Sequence, residues 1–143
     1  MLRKYKSEDA EALTKLWLRC SVDSHNFVND NHWKNLAEDI RNVYLPSSKT
    51  YVWDNNGKQL GFVSMQKGGH IGALFVDTKH QGQGIGSMLL NSLRRKHKTL
   101  DLKVYRKNTE AMRFYTQHGF KVCGTKIDET TGEEEVLMKW SAE

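Results

Sequence analysis

The sequence has few cysteines and prolines and no long apolar run, and each scarcity removes a class of protein. The two cysteines, Cys20 and Cys123, have no metal-ligand spacing and are too few for a disulfide framework. The single proline argues against a long disordered or linker segment. No stretch approaches the roughly 18 apolar residues that a membrane-spanning helix requires. The chain does not open on the apolar run of a signal peptide. We therefore expect a cytoplasmic protein with no metal site and no membrane contact.

The charge balance is basic, with a formal net charge of +5. Such a balance suits a nucleic-acid binder, an enzyme for a polyanionic cofactor, or simply a well-dissolved protein. Four cations cluster between Arg94 and Lys98, but they fall at the end of a predicted helix, where the helix dipole favours positive charge. An acidic stretch at residues 128–135 argues further against nucleic acid. We expect no nucleic-acid partner.

The apolar pattern alternates between strand and helix periods, in a chain whose length suits one domain, residues 1–143. It predicts two leading helices: the first is capped by Ser7, and the second carries Trp33, Leu36 and Tyr44 on one face and ends before Pro46. Further helices are predicted after the turn at 81–86 and after Asn108, which reads as an N-cap. The predicted strands are 1–6, 51–53, 60–65, 71–76, 100–105, 120–127 and 136–140. These elements indicate an α+β fold with a mixed sheet.

A glycine-rich turn at residues 81–86 separates the fourth predicted strand from a helix. A loop that opens a helix points free backbone N–H groups at one spot, with the positive end of the helix dipole behind them. Gly84 and Gly86 carry no Cβ, so phosphate oxygens can approach the backbone closely. Taken alone, such a turn is more often purely structural.

Two rival phosphate loops do not fit this turn. A P-loop ends in Gly-Lys followed by Ser or Thr, whereas Gly86 is followed by Ser87 and Met88. A dinucleotide-binding fingerprint requires a third glycine, and the two possible frames place Leu89 or Ser87 there. The remaining pattern is Gln81-x-x-Gly84-x-Gly86.

This pattern resembles the signature Gln/Arg-x-x-Gly-x-Gly/Ala of the Gcn5-related N-acetyltransferases, and the resemblance extends over residues 70–120. Residues 74–77, Leu-Phe-Val-Asp, resemble the end of the family's fourth strand, and the run from Asn108 through Tyr115 to Phe120 resembles its Asn-x-x-Ala-x-x-x-Tyr…Gly-Phe segment. The resemblance implies a mostly antiparallel sheet of about seven strands with about four helices, strands 4 and 5 being parallel and splayed. Within the family, the chain is similar to small single-domain bacterial members that acetylate ribosomal-protein N-termini or lysines.

The resemblance also implies acetyl-CoA as cofactor and assigns residues to it. The fourth strand offers backbone groups to the pantetheine arm, the turn holds the pyrophosphate, and Asn108 contacts the arm. The implied cofactor-binding residues are Leu74, Phe75, Val76, Gln81, Gly82, Gln83, Gly84, Ile85, Gly86, Ser87, Asn108 and Tyr115.

For catalysis, the resemblance makes Tyr115 the general acid, and the chemistry agrees. A phenol of pKa about 10 can hand its proton to a departing thiolate whose conjugate acid has a pKa of about 8.5. The base is open: some family members carry a Glu where this chain has Lys103. His70 is our predicted base, His25 is predicted to line the acceptor site, and a base acting through water is equally credible.

We therefore expect an enzyme that transfers acetyl from acetyl-CoA to a primary amine, directly and in a ternary complex. The amine belongs to a protein lysine, a protein N-terminus or a small molecule, and the enzyme is a monomer or a homodimer. The alternative from another class is a non-catalytic module that binds or senses acyl-CoA.

Overall fold

Seven strands form one sheet in the order β1-β2-β3-β4-β5-β7-β6 in this computed structural model, which describes residues 1–142. Every neighbouring pair is antiparallel except β4 and β5, which are parallel. The strands are β1 (Leu2–Lys4), β2 (Lys49–Asn55), β3 (Lys58–Gln66), β4 (His70–Val76), β5 (Thr99–Tyr105), β6 (Lys121–Ile127) and β7 (Glu134–Ser141). The predicted mixed sheet of seven strands is confirmed.

Within residues 1–142, four α-helices of nine residues or more accompany the sheet, together with one short α-helical turn. The helices are α1 (Ala10–Ser24), α2 (Asp30–Asp39), the short turn α3 (Leu45–Ser47), α4 (Ile85–Arg94) and α5 (Thr109–Gln117). Residues Ile40–Tyr44 form a π-helical segment that joins α2 to α3. Within residues 1–142, no helix is both long and apolar enough to cross a membrane.

Two apolar clusters cover opposite faces of the sheet, because successive strand residues point to opposite sides. Phe62 packs with α1 and α2, whereas its neighbour Val63 packs with α4 and α5. On β5, Tyr105 likewise packs on the side of α1 and α2, and Val104 on the side of α4 and α5. The sheet is therefore sandwiched between the two leading helices and the two later ones.

The pairing between β4 and β5 is confined to one position, His70 opposite Asp101. Beyond that point the two parallel strands separate, so the facing backbone groups of residues 72–76 are left without strand partners from β5. The predicted splay is present, and the gap that it opens holds the candidate site.

Three predictions about the leading helices were wrong. Ser7 does not cap α1: it lies in a 3₁₀ turn, Ser7–Asp9, that precedes the helix, and Asp9 occupies the N-cap position. The Asp9 carboxylate accepts the Lys6 N–H at 2.8 Å and so closes this turn. Leu36 is 37% exposed, so it does not belong to the buried face of α2. Pro46 lies inside α3, since its fixed φ suits the first turn of a helix.

Candidate functional site

The glycine-rich turn forms a cradle of free N–H groups at the start of α4. Gly82 (φ 81°) and Gly84 (φ 85°) adopt the left-handed conformation that glycine adopts without strain. The Met88 N–H, which donates to the Gly84 carbonyl at 3.0 Å, makes the first hydrogen bond of the helix. The N–H groups of residues 85–87 precede it and are left for a ligand. An anion fits this position.

A cavity of about 430 Å³ lies beside this cradle, between the separated end of β4, the start of α4 and one face of α5. We call it the cofactor cavity. Its volume falls in the range of about 300–1,000 Å³ that is usual for small-molecule sites. Of the residues that the sequence assigned to the cofactor, all except Gln83 line it: Leu74, Phe75, Val76, Gln81, Gly82, Gly84, Ile85, Gly86, Ser87, Asn108 and Tyr115. The structure thus brings the predicted set together, and the individual binding roles stay predictions.

The Val76 carbonyl at the end of β4 accepts hydrogen bonds from two side chains, one in the cradle and one on α1. The Gln81 side-chain amide donates to the Val76 carbonyl at 3.1 Å, and the Cys20 thiol donates to the same carbonyl at 3.3 Å. Gln81 therefore holds the loop against the strand. Cys20 is 2% exposed, and burial raises the pKa of its thiol to about 11, so it stays protonated.

Further lining residues were missed by the sequence reasoning. Cys20 and Ser24 come from the last turns of α1, and no local pattern distinguishes them. Phe114 lies on α5 and His118 directly follows the helix; both lie three residues from another lining residue, Ala111 or Tyr115, a spacing that would have identified them. His118 donates from Nδ1 to the Phe114 carbonyl at 2.8 Å, and its Nε2 hydrogen-bonds with the Ser87 hydroxyl at 2.9 Å, so it joins the end of α5 to the cradle.

A second cavity of about 150 Å³ occupies the gap between β4 and β5, and we call it the acceptor cavity. Five residues line both cavities: Leu74, Phe75, Asn108, Ala111 and Tyr115. Because they share these walls, the two cavities are two halves of one cleft.

Tyr115 stands where the two halves meet. Its residue is 9% exposed, and its ring makes edge contacts with Phe114 and Phe120 at centroid distances of 5.2 and 5.4 Å. Burial raises the pKa of the Tyr115 phenol, so the hydroxyl is protonated at neutral pH. A neutral phenol at this junction can donate a proton to a group in either half.

His25 lines the acceptor cavity, but it is 7% exposed and both of its ring nitrogens are hydrogen-bonded, and its predicted part in the acceptor site stays a prediction. Its Nδ1 donates to the Ser21 carbonyl at 2.8 Å, and its Nε2 accepts from the Asn108 side-chain amide at 3.3 Å. The ring stacks on Trp33 at a centroid distance of 4.8 Å. Burial lowers the pKa of His25, so this neutral tautomer persists. His25 thereby fixes the orientation of Asn108.

Asn108 is the N-cap of α5, as predicted, because its side-chain oxygen accepts the Ala111 N–H at 3.2 Å. The same side chain uses its amide nitrogen to reach His25, so both ends of the amide are engaged. Since Asn108 lines both halves of the cleft, the bond to His25 ties the end of α1 to the wall of the site.

His70 is placed apart from the other predicted residues. It starts β4 at the closed end of the splay, where its Nδ1 lies 2.6 Å from the Asp101 carboxylate. It lines neither cavity. The structure therefore does not bring His70 to the cleft, and its role as base stays a prediction without geometric support.

Charged side chains enter the acceptor cavity from β5 and β7. Lys103 and Glu135 line it, and the strand register places Glu135 between Tyr105 on β5 and Lys126 on β6. The two preceding glutamates are paired elsewhere, Glu133 with Lys107 and Glu134 with Arg106. Within the described residues Glu135 forms no ion pair, so its carboxylate is left for a cation in the cavity. No group of His, Cys, Asp and Glu side chains among residues 1–142 is arranged to hold a metal ion.

Comparison with protein families gives one model that spans the chain: the acetyltransferase (GNAT) domain matches residues 3–142. The chain is 33% identical over 140 residues to the peptidyl-lysine N-acetyltransferase YiaC of Escherichia coli (strain K12), covering 98% of this chain and 96% of that protein. It is 31% identical over 138 residues to the peptidyl-lysine N-acetyltransferase YjaB of the same bacterium, covering 96% and 92%.

Solved structures share the fold. The solution structure of apo-form YjaB from Escherichia coli superposes with a TM-score of 0.86 at 26% identity, covering 98% of this chain and 96% of that one. The PaiA N-acetyltransferase from Thermoplasma acidophilum, solved in complex with coenzyme A, superposes with a TM-score of 0.85 at 17% identity, covering 99% and 98%. The predicted fold is confirmed.

Proposed function

The chain belongs to the GNAT acetyltransferase family, as its motifs predicted, and on this premise we propose that it transfers acetyl from acetyl-CoA to a lysine side chain of a protein. The observation that carries the proposal is the single cleft whose two halves meet at Tyr115. A cleft of this form lets donor and acceptor bind together, so the acetyl group passes directly between them in a ternary complex.

The donor half suits coenzyme A at both ends. The cradle of N–H groups at residues 85–87 receives the pyrophosphate. The separated edge of β4 offers unpaired backbone groups to the two amides of the pantetheine arm, which binds as an added strand would. Asn108, with its side chain held by His25, forms the opposite wall. The thioester then lies near Tyr115.

Tyr115 acts as the general acid in this proposal. The lysine amine attacks the thioester carbon, and the tetrahedral intermediate collapses by breaking the C–S bond. The protonated phenol gives its proton to the departing sulfur. Burial supports this role because it keeps the phenol protonated until the thiolate forms.

The acceptor half favours a cationic amine. Glu135 lines this half without an ion-pair partner in the described part of the chain, and we assign it to bind the incoming ammonium group. Solvent in the open end of the cleft removes the proton before attack. His70 has no part in this proposal, because it lies outside both cavities. Lysine as the acceptor rests on the names of the two E. coli relatives and on this carboxylate.

Substitution of Tyr115 by Phe tests the proposal, since it removes only the hydroxyl. With acetyl-CoA and a lysine peptide, we expect the turnover number, read as release of free thiol, to fall by about 100-fold or more, which is the usual contribution of a general acid. Affinity for coenzyme A should stay unchanged.

The matched control is Tyr51→Phe, which removes a hydroxyl that contacts Lys96 and lies outside both cavities. It should leave turnover unaltered. Equal turnover in Tyr115→Phe and wild type would refute the acid role. Tight coenzyme A binding without turnover on any lysine peptide would refute lysine as the acceptor, and would revive the non-catalytic module predicted as the alternative.

A further inference from the structure

Lys103 is the only lysine among residues 1–142 that lines either half of the cleft. It lies on β5, two residues before the strand ends, and shares the acceptor cavity with Tyr115 and Glu135. That cavity has a volume of only about 150 Å³, and Lys103, an exposed residue, lies at its solvent-facing rim. Lys103 thus offers, from within the chain, the functional group that an acceptor lysine would bring.

A second lysine prepares this amine as a nucleophile. Lys126 on β6 pairs with Glu135 on β7, which in turn pairs with Tyr105 on β5. Lys103 lies two residues before Tyr105, so Lys103 and Lys126 are on the same face of the sheet, one on each side of β7. The side-chain contact with Lys126 lowers the pKa of Lys103 and desolvation adds to this shift, whereas the nearby carboxylates of Glu135 and Asp128 oppose it without cancelling it. A larger fraction of Lys103 is therefore neutral than of an ordinary surface lysine, and only the neutral amine attacks an ester carbon.

We propose that Lys103 is a self-acetylation site, an inference that rests on the proposed use of acetyl-CoA in this cleft. The Nζ lone pair attacks the thioester carbon, a C–N bond forms and the C–S bond breaks. The Tyr115 proton goes to the sulfur, the amine loses a proton to solvent, and solvent returns a proton to the Tyr115 phenolate. The products are acetyl-Lys103 and free coenzyme A, and no other reactant is needed.

Modification at this position changes the acceptor half in two ways. Acetyl-Lys103 is larger than lysine, so it takes up space in a cavity that is already small, and its amide carries no charge. Because the added acetyl group occupies space that the incoming amine needs, acetylation of Lys103 slows transfer to an external lysine. The enzyme carries an internal competitor that acts when the cofactor is present and the acceptor is scarce.

The experiment incubates the protein with acetyl-CoA and no acceptor, follows the intact mass for the gain of one acetyl group, and maps the site by peptide fragmentation. We expect a single gain at Lys103, at a fractional rate that is independent of protein concentration, because the step is intramolecular. Lys103→Arg should abolish it. The control Lys139→Arg should leave self-acetylation unchanged, because Lys139 lies on β7 outside both cavities. Lys126→Gln should slow it at neutral pH.

Each outcome supports or overturns the inference. Acetylation spread over several lysines, or unchanged in Lys103→Arg, overturns it. A rate that rises with protein concentration also overturns it, because the reaction is then between molecules. Thiol release with a lysine peptide is measured on the wild type in parallel. Turnover of the peptide without self-acetylation refutes the inference alone, whereas absence of both reactions refutes the proposed function as well.

Discussion

A methyl group added at Gly72 should drive apart β4 and the π-helical segment that ends at Tyr44. A Cβ at Gly72 would overlap the Tyr44 hydroxyl oxygen and would lie 3.0 Å from the ring carbon that carries it. The hydroxyl oxygen is buried, so the half-buried ring must shift to make room for the methyl group. Overpacking of this kind costs about 1–3 kcal/mol, and we expect Gly72→Ala to lower the free energy of unfolding by that amount.

The companion change Tyr44→Phe separates this clash from other effects of alanine. The Tyr44 hydroxyl has no hydrogen-bond partner among the described residues, so its removal alone should alter the free energy of unfolding by less than about 1 kcal/mol. In the double variant the overlapping atom is absent and only the contact at 3.0 Å remains. Most of the loss caused by Gly72→Ala should therefore be restored.

Urea unfolding of the four proteins, followed by tryptophan fluorescence, gives the coupling free energy directly. Because Gly72 also lines the acceptor cavity, the KM for a lysine peptide should rise in Gly72→Ala and recover in the double variant. Additive free energies, with no recovery in the double variant, would show that Tyr44 does not limit the approach of this segment to β4, and the packing argument would be refuted.

Two further predictions concern charge. Glu135→Gln keeps the shape of the side chain but removes its charge, and it should raise the KM for a lysine peptide by about tenfold, the equivalent of one charge-assisted hydrogen bond. The control Glu129→Gln, in the exposed turn between β6 and β7, should leave KM unaltered. Equal effects of the two substitutions would show that Glu135 does not belong to the acceptor site. Burial lowers the pKa of His25 in the folded protein below the ordinary value of about 6.5. At pH values between the folded and the unfolded pKa, the unfolded chain therefore binds more protons than the folded protein does. The free energy of unfolding should fall as the pH drops through this interval. His25→Gln should weaken this dependence in urea unfolding series at several pH values, and an identical dependence in wild type and variant would contradict the buried neutral ring.

The donor half of the site was accessible from the sequence because its geometry is local. The left-handed glycines at 82 and 84 and the Asn108 cap each depend on residues within one turn of the chain. The contacts that the sequence did not reveal join distant segments. Asn108 meets His25 across 83 positions, and Cys20 meets Val76 across 56.

The acceptor half could not be predicted from the sequence, because its residues are selected by strand register. Three consecutive glutamates, 133–135, look alike in sequence, and only the register of β5, β7 and β6 leaves Glu135 in the cavity while its neighbours are paired. His70 was chosen as base by residue type and by its place at the start of a strand. The point at which β4 and β5 separate is set by the tertiary structure, and His70 lies at the end where the two strands are still paired.

The shared wall at Tyr115 has a consequence for inhibition. A molecule that covalently joins coenzyme A to a lysine peptide through a short linker would occupy both halves without crossing a barrier of protein. Once one end is bound, the other is held at a local concentration set by the linker, typically in the millimolar range for short flexible tethers. Such a conjugate should bind more tightly than either part alone. The peptide sequence that gains most from the tether would then identify the protein segment that this cleft selects.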